Sequence, residues 1–223
     1  MVKPTSQKKA TAILGSRVRI FGTQYGDSVA AGAAMALKVR SDQQPTYYPN
    51  LTPPLYIQEA SLWINQNYLK QFKVRVRILD IDALTGLPGN DLIDENVIII
   101  SQIKKGWIKA DLSRFKVSVN STQFYLVFEW IMDDKARLEI MSQFKEYKRL
   151  NPGKVRSDTT TISGEEVRFL HWEGLEAGVW FGASPANSVY LNNMECYFRT
   201  NSHAKWEKSY SILAARVTVT DRP

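Results

Sequence analysis

The sequence has little of what enzymes most often use. Among its 223 residues there is one cysteine, Cys196, and there are two histidines, His171 and His203. A single cysteine excludes an internal disulfide and a cysteine-based metal centre. The two histidines build no zinc motif, since neither is followed at a ligand spacing by a second metal-binding side chain of a known pattern. Ser202 stands beside His203, but triad partners meet in space rather than in sequence, and the Gly-x-Ser-x-Gly elbow is missing. Neither Gly182-Ala-Ser184 nor Gly153-Lys154 fits a nucleophile or phosphate motif. No run approaches 18 apolar residues, which excludes a transmembrane helix. Met1-Val-Lys-Pro-Thr-Ser-Gln-Lys-Lys-Ala10 is basic but is followed by no apolar core segment, so no signal peptide is read there. Internal repeats and low-complexity tracts are also lacking.

What is present is a globular composition, 44% hydrophobic and 23% charged. Residues 1–10 read as a flexible basic tail and residues 11–223 as a single domain, long enough to bury a core without staples. The charge balance is 29 − 22 = +7, which permits acidic partners. The basic residues are spread over the first forty positions and the stretch Lys135–Arg156 rather than gathered in one stripe. Lys145, Lys148 and Arg149 lie near Phe144 and Tyr147, but no nucleic-acid module accompanies them, so nucleic acid is not the expected partner.

The dominant pattern is period two. Lys73–Leu79 alternates, with Val74, Val76 and Ile78 on one face and Lys73, Arg75 and Arg77 on the other, the signature of a strand with one wet face. Arg17–Phe21 alternates in the same way. Further strands are predicted at Tyr56–Ile64, Val97–Ile103, Trp107–Leu112, Lys116–Val119, Phe124–Ile131, Val167–Trp172, Val179–Ala183, Tyr190–Arg199 and Ile212–Thr220. The unbroken β-branched run at Val97–Ile103 predicts burial on both faces. Turn signals separate these runs, notably Thr85-Gly-Leu-Pro-Gly-Asn-Asp91 and Lys105-Gly106. The spacing predicts an all-β fold, an antiparallel, jelly-roll-like β-sandwich. One segment breaks the pattern. Asp133–Leu150 carries Leu138, Met141, Phe144 and Tyr147 at helical spacing, with Asp133 as N-cap and Asn151-Pro152-Gly153 as stop, so one inserted helix is predicted at 133–150.

Three sets of side chains are candidates for function. Tyr47, Tyr48 and Tyr68 lie among amides (Gln44, Asn50, Asn65, Gln66, Asn67), which suits a sugar face stacked on a ring and also suits a protein interface. Asp80, Asp82 and Asp91 could bind a structural calcium, although the spacing fails an EF-hand; otherwise they are turn formers bonding nearby amides. Glu129, Glu173 and Glu176 are the carboxylates to weigh for glycan hydrolysis, which needs a pair at defined separation; Glu173 and Glu176 would not share a strand face.

The order of several strings carries a resemblance. Phe72-Lys-Val-Arg-Val-Arg-Ile-Leu-Asp80 precedes Gly86-Leu-Pro-Gly89 and Asp91-Leu92; then come Gly106-Trp-Ile-Lys-Ala-Asp-Leu112, Phe128-Glu-Trp130, Tyr197-Phe-Arg-Thr200 and Lys205-Trp-Glu207. Together they resemble the jelly-roll-like β-sandwich domain of secreted Bacteroidetes proteins of the carboxypeptidase-like regulatory class, over residues 17–220. The resemblance implies a sandwich, a periplasmic, cell-surface or secreted location, and no peptidase activity; it brings no catalytic residues. The helix at 133–150 departs from that pattern. The expectation is a non-catalytic exported binding or accessory module with no cofactor beyond a structural calcium. Its ligand would be carbohydrate. The alternatives are a protein-interaction or structural component of a surface assembly, and a carboxylate-dependent glycan hydrolase.

Overall fold

The alternation at Phe72–Ile81 is realised as a strand in the computed structural model, with Val74, Val76 and Ile78 buried and Lys73, Arg75 and Arg77 half-exposed between them. The structure describes residues 9–16, 23–25, 32–42, 51–162, 165–174, 177–185 and 194–223. Its strands are β1 (Thr11–Gly15), β2 (Thr23–Tyr25), β3 (Ala34–Arg40), β4 (Leu55–Asn67), β5 (Phe72–Ile81), β6 (Pro88–Asp91), β7 (Val97–Ser101), β8 (Gly106–Asp111), β9 (Ser118–Val119) and β10 (Gln123–Ile131). After the helix α1 (Asp134–Leu150) follow β11 (Val155–Ile162), β12 (Glu165–Trp172), β13 (Val179–Pro185), β14 (Cys196–Arg199), β15 (Glu207–Lys208), β16 (Ser211–Leu213) and β17 (Ala215–Thr220).

These strands form an antiparallel β-sandwich with one inserted α-helix among the described residues. The first sheet runs β1-β17-β4-β13-β16, with β8 and β9 on the other edge of β4 and β2 on β13. The second runs β15-β14-β3-β10-β5-β6, with β7 also on β5. A separate hairpin pairs β11 with β12. Inward residues of both sheets form one core, including Leu37, Leu62, Ile64, Ile78, Phe124 and Phe128. Each such side chain, fully buried, stabilises by roughly 1.5–3 kcal/mol. Trp130 of the second sheet meets Phe181 of the first, with ring centroids 6.1 Å apart. Ala10 closes the first strand by bonding Asp221 through its amide (3.0 Å); the tail read at residues 1–10 otherwise lies almost wholly outside the described residues.

The helix is capped as its sequence requires. The Ala136 amide donates to Asp133 Oδ1 at 2.8 Å, and Lys73 Nζ lies 2.8 Å from Oδ2. Its buried face differs from the expected stripe. Ala136 and Ile140 are buried, whereas Leu138 and Met141 are 66% and 44% exposed. The reason is what the helix rests on. It meets the β4–β5 turn, where the Lys70 amide donates to Glu139 (3.0 Å) and Gln143 donates to the Tyr68 carbonyl (2.9 Å). A turn offers a narrow contact, so one i, i+4 pair suffices to fill it.

Other expectations change too. β7 is not buried on both faces: Ile98 and Ile100 are 43% and 57% exposed, because they stand opposite Arg75 and Lys73 on the outer face, and among the described residues β7 pairs with β5 alone. Pro88–Asp91, read as turn, is a short strand on β5. Trp107 of β8 stands on the outer face of the first sheet, against Trp63. The strands β1, β2, β3, β11 and β15 were not anticipated. The strand expected at Arg17–Phe21 lies outside the described residues.

Candidate functional site

The site grows from the register of the second sheet. On β10 the inward residues are Phe124, Leu126, Phe128 and Trp130, so Tyr125, Val127 and Glu129 point outward. Glu129 stands opposite Arg75 of β5 on one side and Ala34 of β3 on the other. Ala34 in turn stands opposite Arg199 of β14. One row across the sheet therefore reads Arg199, Ala34, Glu129, Arg75. Strands are about 4.8 Å apart, so Arg199 and Glu129 are separated by the full width of β3. Ala34 offers only a methyl group, and the arginine lies over it. The next row, Tyr197, Ala36, Val127, Arg77, repeats the device with Tyr197 over Ala36.

The result is a carboxylate held by three guanidinium groups. Arg75 Nη1 is 3.1 Å from Glu129 Oε1; Arg199 Nη2 is 2.8 Å and Arg77 Nη1 is 3.6 Å from Oε2. The Glu129 side chain is 7% exposed and that of Arg199 11%. Arg77 also binds Asp91 through Nε at 2.7 Å. Arg199 stacks over Trp206, 4.8 Å from the ring centroid. Burial pushes Arg199 below the ordinary arginine value, with Glu129 opposing that shift; a guanidinium nevertheless stays charged. The Nε atoms of Arg75 and Arg199 are buried and have no hydrogen-bond partner.

A wall of aromatic and turn residues flanks this group. Tyr125 donates to the Gly86 carbonyl at 2.7 Å and stands edge-on to Tyr197, with centroids 5.7 Å apart. Burial raises the Tyr125 phenol far above its ordinary range. With Ala34, Ala36, Leu79 and Val127, these tyrosines make a small apolar cluster on the outer face. Beside it lies an open cleft of about 550 Å³. Arg75, Arg77, Asp91, Glu129 and Arg199 line it, and the exposed Asp94, Glu95 and Asn96 stand at its mouth.

The residues singled out by sequence are placed elsewhere or do other work. Tyr47 and Tyr48 lie outside the described residues. Tyr68 is half-buried at the β4–β5 turn, edge-on to Trp180 with centroids 6.0 Å apart, and does not line the cleft. Asp80 accepts the Asn90 amide at 2.6 Å. Asp82 accepts the amides of Leu84 (3.1 Å) and Thr85 (2.8 Å) and the Thr85 hydroxyl (2.7 Å). Those bonds, the hydroxyl's first, hold its carboxyl below the ordinary value. Asp91 belongs to Arg77 and to the Ile93 amide at 3.1 Å. Asp80 and Asp82 brace the loop between β5 and β6 and Asp91 the turn that follows; among the described residues no three metal-ligating side chains come together. The turn they build also explains its glycines. Gly86 has a φ of +71°, whereas Gly89 is required for space, since a Cβ there would fall 2.2 Å from Asp80 Oδ1.

The remaining candidates for chemistry are committed to structure. Both oxygens of Glu129 are engaged by arginine. Glu173 is exposed just after β12, where its carbonyl accepts from the Tyr147 hydroxyl, and Glu176 lies outside the described residues. Cys196 is fully buried, and burial pushes its thiol up to about 12, so it is no nucleophile in the folded chain.

The arginine cluster could have been found in part. Arg75 and Arg77 were legible as an outward pair and Glu129 as a carboxylate on a strand. Arg199 was not linked to them, because β3 went unrecognised and the register across Ala34 and Ala36 is what brings them together. On the outer face of the first sheet, Trp63 and Trp107 are cross-strand partners 5.6 Å apart, with Arg216 4.2 Å over Trp107. No family model matches the chain, and no curated protein matches it.

Proposed function

We propose that the chain is a non-catalytic, exported binding module for carbohydrate and that its ligand seats in the cleft over Glu129. The observation that carries this reading is the cleft itself. It is a polar, solvent-open volume of about 550 Å³ on a rigid sheet, large enough for a small ligand. Its charged groups are fixed by one another rather than free to rearrange. Guanidinium, carboxylate and amide groups at known positions are what sugar hydroxyls need as donors and acceptors. Export follows the resemblance to secreted sandwich domains.

The test is a glycan array with the purified chain at low salt and at about 0.5 M salt, where surface attraction is largely screened. Retained binding to particular glycans supports the reading. Release of new reducing ends from a bound glycan would replace it with the hydrolase. No binding would remove carbohydrate as the ligand.

The second reading, a component of a surface assembly, is favoured by β7. No strand among the described residues pairs with its outer edge, and it displays Ile98 and Ile100; such an edge invites pairing with another strand. Ile100→Glu tests it. The new carboxylate would face Lys73 across the pair, so stability is expected to hold. Association measured by light scattering should fall if the edge is an interface.

A further inference from the structure

We infer that the ligand of the cleft is an acidic sugar, one whose carboxylate meets the arginines while its hydroxyls meet the mouth. The inference rests on the carbohydrate reading and sharpens it.

Two levels of the cleft have opposite character. Deep in it, Arg75, Arg77 and Arg199 face two carboxylates, Glu129 and Asp91, which among the described residues leaves one positive charge unmatched. A planar guanidinium fork fits a carboxylate better than it fits a hydroxyl. At the mouth the charge reverses. Asp94 and Glu95 are exposed, with Asn96 beside them, and an exposed carboxylate only accepts hydrogen bonds.

This layering separates ligand classes. A neutral sugar satisfies the mouth and leaves the deep charge unmatched. A polyanion such as nucleic acid or polyphosphate satisfies the depth and is repelled by Asp94 and Glu95. A uronic acid satisfies both, with its carboxylate inward and its hydroxyls donating to the acidic mouth.

The experiment uses short neutral oligosaccharides that each carry a single terminal galacturonate, glucuronate or mannuronate. Each is paired with the same oligosaccharide after its carboxyl group has been reduced to an alcohol. Titration calorimetry with the full chain should show at least one acidic member binding tenfold or more tightly than its reduced twin, and keeping that advantage at high salt. Equal binding within every pair overturns the inference and leaves the carbohydrate reading standing. Absence of binding to all pairs, and to the array, overturns both. Equal binding of a sulfated analogue also overturns it, because any oxyanion would then do.

Two variants add an independent check. Arg199→Lys keeps the charge, and hence the partner of Glu129, but loses the fork; the acidic ligand should weaken about tenfold and the reduced twin by clearly less. Asp94→Ala with Glu95→Ala changes only exposed side chains. It should weaken the acidic ligand severalfold, whereas unchanged or tighter binding would show that the mouth merely repels and would overturn the seating.

Discussion

Glu129 is the residue on which the outer face of the second sheet turns. A carboxylate this enclosed is held by strong local attraction but has been taken out of water to get it. Removing it leaves three guanidiniums facing one another. Glu129→Leu is therefore expected to cost about 3 kcal/mol, the low end for a broken buried pair, because Arg75 and Arg77 remain 32% and 24% exposed and can be hydrated. Adding Arg199→Met to that variant removes the least hydrated of the stranded cations, and an apolar pair packs over Ala34. At least half of the lost stability should return. Urea unfolding of the two single variants and the double variant measures the coupling. Additive losses would show that Arg199 and Glu129 do not act as a pair.

At the scale of the element, α1 and β7 show what a linear pattern leaves out. Helix start and stop were legible because capping is local: Asp133 bonds a residue three positions away. Which side of α1 would be buried was not, because that depends on the β4–β5 turn beneath it. β7 reads as a core strand by composition and is an edge by topology. β3 escaped because Ala-rich segments have weak strand propensity, yet its two alanines are what let β14 reach β10. The cap also sets a pH dependence. The bond with Lys73, and then the Ala136 amide, holds the Asp133 carboxyl below its ordinary value of 3.8. A lowered folded-state value stabilises above the unfolded value, and the contribution fades as pH falls through the folded one. Since Asp133 is 39% exposed, solvent screening keeps the ion-pair part small. Asp133→Ala should cost about 1 kcal/mol at neutral pH, and its gap from the unaltered chain should narrow below the ordinary carboxylate range. Asp133→Asn keeps a cap and should lose less. Unfolding curves at neutral and acid pH compare all three, and a gap that widens in acid would contradict the assignment.

For the whole molecule, period-two alternation and turn spacing were enough for the sandwich, because each strand's inward face is dictated by its own residues. The cleft was not legible in the same way, since it needs the register of four strands at once. These two facts make stability and binding separable. Trp130 and Glu129 are neighbours on β10 and point to opposite faces. Trp130 is 3% exposed, meets Phe181 across the core, and leaves its indole N–H without a partner. Trp130→Ala is expected to cost about 3–5 kcal/mol through lost burial and the cavity left behind. Trp130→Phe keeps most of the ring contact and removes a buried unsatisfied donor, so its cost should stay under about 1.5 kcal/mol. The Phe variant should also bind any ligand of the cleft with unchanged affinity, because the side chain at position 130 points into the core and does not line the cleft. Arg199→Lys should do the reverse, keeping the melting temperature close to that of the unaltered chain while weakening the acidic ligand. If both variants lost binding in proportion to stability, the cleft would be reporting only the integrity of the sandwich, and the ligand would have to be sought on the Trp63–Trp107 face of the first sheet.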